Sequence, residues 1–317
     1  MTTSATDTLR RDAGTLLLLA AAAATLPAWG SDFAVSLALA CAMYVALASS
    51  WCLFCGTTRY LSLATAAFFG IGAYAGAIAI EALPWAIVVP LGAVAAAAVA
   101  ALVGSAVLHL RGTYFAVLTF GLTELLRHAV TAWERQVTGT VGRVIATAPE
   151  RDTVYFTVLA IAAAAVGTSI VVRRSRFGLA LAGIGFDEQR AATLGVATRR
   201  IKVAGFAITA AFAGAVGAAT SVRWTYIDPA TVFNPFIGFQ TVLIALVGGA
   251  ATLWGPVAAA IVFSLLAETL RLSLPQLYMT ALGALLIVCV LYLPGGLGSI
   301  RWRRGGPGRA PRAGGAP

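Results

Sequence analysis

Long apolar stretches, each close to a bilayer in length and nearly free of charge, recur along this chain and leave few folds open to it. A spanning helix needs ~20 mostly apolar residues to cross ~30 Å of hydrocarbon. Ten stretches approach or exceed that length: 13–29, 33–55, 60–81, 84–108, 113–133, 153–173, 201–222, 236–250, 254–271 and 276–294. In lipid the backbone has no water to bond, so only helices or a closed barrel satisfy it. A barrel would show alternating segments of ~10 residues, whereas these runs are continuous. The chain therefore reads as an all-α polytopic integral membrane protein of about ten transmembrane helices. The eighth stretch is short, and a re-entrant or broken helix near Gly248–Gly255 would lower the count to eight or nine.

Charge supports the same reading. Charged residues make up 11% of the chain, against about 25% in a soluble domain. The net charge of +10 does not point to nucleic acid, because the basic residues sort by loop. With the N-terminus inside and ten spans, Arg135, Arg143, Arg151, Arg223 and Arg271 fall outside and Arg127 lies within a span. All the other Lys and Arg residues fall inside, including Arg111. Excess Lys and Arg mark cytoplasmic loops, so both termini are expected in the cytoplasm, with anionic lipid as the partner of the basic surface. Arg10 and Arg11 precede the first apolar stretch, which is read as an uncleaved helix because no clear cleavage site follows. The tail from Arg301, rich in Arg, Gly, Pro and Ala, is expected to be disordered. The organisation expected is thus 1–12 as a cytoplasmic N-terminus, 13–300 as the membrane domain and 301–317 as a cytoplasmic tail.

Several chemistries find no support. Cys41, Cys52, Cys55 and Cys289 all lie in apolar runs, and the CxxC of Cys52 and Cys55 has no second pair or nearby His. No metal or other cofactor is expected. There is no GxxxxGK[ST], GxSxG or HExxH, so the chain is not expected to be an ATPase or an intramembrane hydrolase, nor an enzyme of another kind.

Ionisable groups within lipid are expensive and mark functional candidates. Glu124 and Glu268 qualify, each with an arginine three residues on, Arg127 and Arg271, where the pair can share a helix face. Such a pair suits a gate or a zwitterionic substrate, or simple local neutralisation. Thr65, Tyr74, Thr119, Gln240 and Thr241 are further candidates to line a path, although inter-helix hydrogen bonds explain such residues equally well. Gly70, Gly72 and Gly76 suit close helix approach. Gly248, Gly249, Gly255 and Pro256 mark a break that is a candidate pathway lining.

One inside segment is long. Residues 173–202 read RRSRFGLALAGIGFDEQRAATLGVATRRIK, an amphipathic pattern with Gly195 placed to stop a helix. It suits docking into a partner's groove or lying on lipid headgroups, and the residues alone do not choose.

Here the sequence resembles a known family. The segment is similar to the cytoplasmic coupling loop of permease subunits from branched-chain amino-acid ABC importers of the LivM-like type. In the same order, LSLATAAFFGIGAY (61–74) resembles LSLGHAAFFGIGAY, and LRGTYFAVLTFGLTELLR (110–127) resembles LRGxYFAxxTxxxxEixR. ALVGGAATLWGPVAAAI (245–261) resembles a GGxGTxxGPxxGA turn, and LYLPGGLGSI (291–300) an LPxGL ending. The likeness covers about 33–300. Ala64-Thr65 stand where the family has Gly-His, and 138–142 lack the acid of its usual outer loop.

The resemblance implies a bacterial inner-membrane importer. Its partners would be ABC ATPase subunits, a second and related permease subunit, and an extracytoplasmic substrate-binding protein. It makes 173–202 the coupling loop, with Asp187, Glu188, Ala191, Ala192 and Gly195 at the ATPase contact; Glu188 would reach a basic groove on the ATPase. The implied cargo is a branched-chain or other small amino acid, with urea or a short amide as alternatives. An ion-coupled secondary transporter and a membrane scaffold or sensor remain as other classes; the first would need acids near the midplane and no ATPase.

Overall fold

Each apolar run must close its own backbone hydrogen bonds, and each described run is helical. The computed structural model describes residues 3–110, 112–137 and 139–273, with 277, 280, 283 and 284. The first elements are α1 (Thr3–Ala24), α2 (Leu26–Trp29), α3 (Asp32–Thr58), α4 (Thr65–Ala79), α5 (Trp85–Val107) and α6 (Thr113–Val137). After β1 (Arg143–Val144) come α7 (Arg151–Arg174), α8 (Arg176–Phe186), α9 (Glu188–Thr193) and α10 (Thr198–Ser221). β2 (Tyr226–Ile227), α11 (Pro229–Val232), α12 (Pro235–Gly248) and α13 (Gly255–Ser273) follow. The expected tenth stretch lies almost wholly outside the described residues, as do Arg111, Cys289, the 291–300 motif and the basic tail.

Among the described residues seven helical stretches are long and apolar enough to cross a membrane: Arg10–Trp29, α3, α5, α7, α10, Pro229–Gly248 and α13. α4 has only 15 residues, and α6 carries Glu124, Arg127, Glu134 and Arg135. Both nonetheless pack in the bundle. The protein is an all-α, multi-pass membrane protein.

Contacts between helix ends define two faces. At the near face, Asp12 of α1 pairs with Arg174 of α7 at 2.6 Å, and Lys202 of α10 reaches the Leu108 carbonyl beyond α5. At the far face, Asp32 of α3 pairs with Arg151 of α7 at 2.7 Å, and Trp85 of α5 donates to Thr157 of α7 at 3.0 Å. The spans alternate in direction.

α10 is the hub and packs against α3, α4 and α5. Lipid supplies no hydrophobic drive between helices, so close backbone approach at small residues does the work. A β-carbon on Gly72 would fall 2.0 Å from the Gly214 carbonyl oxygen, and one on Gly214 would fall 2.4 Å from the Ala96 β-carbon. Gly76 likewise abuts Ala218. These contacts are those expected of the α4 glycines.

Two features depart from the expected pattern. The loops after α6 and α10 pair as a two-stranded antiparallel ribbon at the far face, Arg143 opposite Ile227 and Val144 opposite Tyr226. At the near face the amphipathic segment is two helices, α8 and α9, because Asp187 is extended and caps α9 by accepting from the Gln189 and Arg190 N–H groups. Gly195, at φ +85°, ends α9 as expected, with Val196 N–H bonded to the Ala191 carbonyl.

Candidate functional site

The far-face ends of α3, α10, α12 and α13 enclose a cavity of about 450 Å³. Its walls are mixed. Phe33, Leu37, Met43, Phe69 and Phe236 are apolar; Gln240, Arg223, Glu268 and Arg271 are polar or charged. Gln240 is buried and oriented by Tyr44, whose hydroxyl donates to its Oε1 at 2.8 Å. Arg223 has a lowered pKa, chiefly through desolvation and then through the Arg151 and Arg271 guanidiniums, with Glu268 opposing. A guanidinium stays charged through such a shift, so the cavity carries a cationic pair with one carboxylate close by. Among the described residues no salt bridge joins Glu268 to Arg271, despite their spacing on α13. An acid, guanidiniums, an amide and an apolar wall can bind a small solute bearing both charges.

Glu134, a charged residue near the far-face end of α6, is fully buried, at 0% exposure. Its carboxylate accepts from the Tyr74 hydroxyl at 3.2 Å and the Gly142 N–H at 2.8 Å, and Arg143 approaches to 3.4 Å. Tyr74 also stacks on Phe233, ring centres 6.1 Å apart. Tyr74 thus holds the ribbon against α4 and does not face the cavity. The burial follows from length: α6 continues four residues past its apolar run and carries Glu134 under the ribbon.

At the near face, Lys202 is 4% exposed and meets Glu188 Oε1 at 2.7 Å. The other Glu188 oxygen accepts from the Tyr60 hydroxyl at 2.6 Å, and the ammonium also donates to the Leu108 carbonyl at 2.6 Å. An isolated buried ammonium is costly, which explains why Glu188 turns inward. Its carboxylate is therefore engaged inside the protein, and the expected outward reach to a partner's groove is revised. Ala191 is buried, while Ala192 and Gly195 are exposed. Asp187 bonds Arg190 at 3.1 Å. The most exposed apolar groups of this region are Phe186, 80% exposed, and Leu194, 84% exposed, with Leu179 of α8 also exposed.

The other candidates scatter. Glu124 and Arg127 pair at 2.5 Å on α6, each 33% exposed, apart from the cavity. Thr119 accepts from the Leu63 N–H and anchors the α3–α4 linker to α6. Thr65 lines only a minor void. Thr241 is buried and bonds the Ile237 carbonyl. Gly248, Gly249, Gly255 and Pro256 form a tight near-face turn between α12 and α13, where a β-carbon on Gly255 would fall 1.9 Å from the Gly248 carbonyl oxygen. Of these candidates only Gln240 lines the large cavity; Glu268 and Arg271 join it there.

Tyr44, Tyr60, Lys202 and Glu134 were not legible as site residues. Lys202 alone had a signal: it is the chain's single lysine, set in an arginine-rich stretch.

A multi-pass helical bundle with a charged cavity at one face and short amphipathic helices at the other has the architecture of a transporter's membrane subunit. The family described as "Branched-chain amino acid transport system / permease component" matches residues 33–291, and the chain belongs to that family. It is 25% identical to the "High-affinity branched-chain amino acid transport system permease protein LivM" of Escherichia coli (strain K12), covering 89% of this chain and 74% of that protein. It is 24% identical, with the same coverage, to the protein of that name from Salmonella typhimurium. No solved structure matches the chain.

Proposed function

We propose that this chain is the membrane-spanning permease subunit of an ATP-binding-cassette importer of the bacterial cytoplasmic membrane, carrying branched-chain or other small amino acids. The observation that carries this reading is the far-face cavity. Glu268 suits a substrate ammonium, Arg223 and Arg271 a carboxylate, and the Phe and Leu wall an apolar side chain. The basic near face is then cytoplasmic, and an extracytoplasmic binding protein delivers substrate at the far face. An ABC ATPase docks on α8 and α9 through Phe186 and Leu194, with Asp187, Ala191, Ala192 and Gly195 shaping that surface. Glu188 acts from inside, locking α9 to Lys202. A second, related permease subunit completes the pathway.

Purification of the tagged chain from native membranes in mild detergent tests this, with Leu194→Arg beside the wild type. An ABC ATPase is expected with the wild type and is lost with the variant. Absence of any ATPase, under conditions that keep a known ABC importer whole, overturns the reading in favour of an ion-coupled transporter.

A further inference from the structure

The α12–α13 turn is gripped on both flanks by consecutive arginines at the end of α7. Arg173 donates through Nη1 to the Ala251 carbonyl at 2.5 Å, and through Nη2 to the Thr252 and Ala250 carbonyls at 3.0 and 3.4 Å. Arg174 donates to Asp12 Oδ2 at 2.6 Å, and Asp12 Oδ1 accepts the Trp254 indole N–H at 3.3 Å. The turn is stiff in itself. Gly249 sits at φ +89°, and the Thr252 hydroxyl bonds the Gly249 carbonyl at 2.8 Å. Gly56 of α3 closes a third side, since a β-carbon there would fall 2.3 Å from the Ala250 carbonyl oxygen.

The position of the grip matters. Ser175, one residue past Arg174, caps α8 and begins the near-face segment. Beyond the turn, α12 carries Gln240 and α13 carries Glu268 and Arg271 into the far cavity. Gln240 lies eight residues, about 12 Å of helix, from Gly248. A displaced turn therefore tilts rigid rods whose other ends are cavity walls. A guanidinium fork fixes several carbonyls in one geometry, which an ammonium on a flexible stem does not. Arg173 Nε is buried with no hydrogen-bond partner among the described residues. The fork is thus not saturated in this arrangement and retains a donor for another.

We propose that Arg173, seconded by the Arg174–Asp12–Trp254 bridge, is the positioning residue that transmits movement of the 175–197 segment to the α12–α13 hairpin and so to the far cavity. This rests on the reading of the chain as an ATP-driven permease.

The test uses the complete transporter complex in proteoliposomes, with leucine as the probe. Uptake per ATP hydrolysed is measured for wild type, Arg173→Gln, Arg173→Lys and Asp12→Asn. In parallel, an Ala267→Cys substitution in the cavity wall is labelled by an impermeant maleimide with and without vanadate, and labelling of the parent chain is subtracted. Arg173→Gln is expected to assemble and hydrolyse ATP near the wild-type rate. It should transport about tenfold less per ATP, a loss on the scale of one charge-assisted bond. It should also lose the vanadate-dependent change in labelling, with Arg173→Lys intermediate. A wild-type ratio with the labelling change intact overturns the proposal. So does a parallel fall in hydrolysis and uptake at constant ratio, which marks a merely structural arginine. If Arg173→Gln fails to assemble, Asp12→Asn decides: a reduced ratio supports the coupling and an unchanged ratio overturns it. Absence of ATP-dependent uptake by the wild type is a different result and sinks the permease reading itself.

Discussion

Glu188 and Lys202 lie fourteen residues apart and meet at 2.7 Å beneath the near-face segment, with the Tyr60 hydroxyl on the second carboxylate oxygen. The pair joins α9 to the start of the next helix, α10, and through Tyr60 ties both to the α3–α4 linker, which is far away in sequence. It gives a short six-residue helix a fixed seat on the membrane bundle.

Removing one partner strands the other. Lys202→Met is expected to destabilise the protein by about 3–5 kcal/mol, the usual cost of breaking a buried ion pair. Glu188→Gln combined with Lys202→Met should recover much of that loss, since no buried charge is then unpaired. Thermal unfolding of the detergent-solubilised variants as a double-mutant cycle measures the coupling. Additive effects of the two substitutions would refute the pair's energetic role.

In the far cavity, Glu268→Gln and Arg271→Gln should each raise the KM for amino-acid uptake, leaving folding and membrane insertion unchanged. A charge-assisted hydrogen bond contributes about 1.5–3 kcal/mol, so each change should be on the order of tenfold to a hundredfold. Glu124→Gln, on a pair outside that cavity, should shift KM far less. Equal effects at Glu124 and Glu268 would remove the cavity from the pathway.

Glu134→Leu leaves the Gly142 N–H and Arg143 without their acceptor. The ribbon should then open locally, with faster hydrogen exchange or proteolysis across 139–147 and little change at the near face. Unchanged protection there would show that strand pairing alone holds the ribbon.

At the centre of the bundle, Gly214→Ala places a methyl group 2.4 Å from the Ala96 β-carbon and 2.5 Å from the Gly92 carbonyl oxygen. Neither atom belongs to a flexible tip, so overpacking should cost about 1–3 kcal/mol. A lower melting temperature in detergent checks it. Gly183→Ala on α8, where nothing lies within 4 Å, is the matched control and should have no comparable effect.

The membrane architecture was legible because lipid dictates it residue by residue: an apolar run of bilayer length has one way to satisfy its backbone. The α4 glycines were legible for a related reason, since small residues at GxxxG spacing mark close approach. Long-range pairings were not. Nothing local says that Lys202 will be buried or that Glu188 will turn inward to meet it. Glu134 was not legible as buried because charge near a loop normally means solvent, and the 226–227 strand that completes the ribbon over it lies more than ninety positions away. The Gly248–Pro256 break was visible as a break, but only the contacts of Arg173 and Gly56 put it at a helix end. Glu268 and Arg271 were visible as candidates, whereas their neighbour Arg223 is brought to the cavity by folding alone.

ATP-driven uptake tests the account most directly. The purified chain, with its partner permease, ATPase and binding protein, is reconstituted in proteoliposomes, and accumulation of labelled leucine is followed with ATP supplied on the ATPase side. Accumulation is expected to require ATP and the binding protein, to be abolished by vanadate and to fall with Glu268→Gln. Accumulation that follows an imposed sodium or proton gradient without ATP would contradict ATP-driven import.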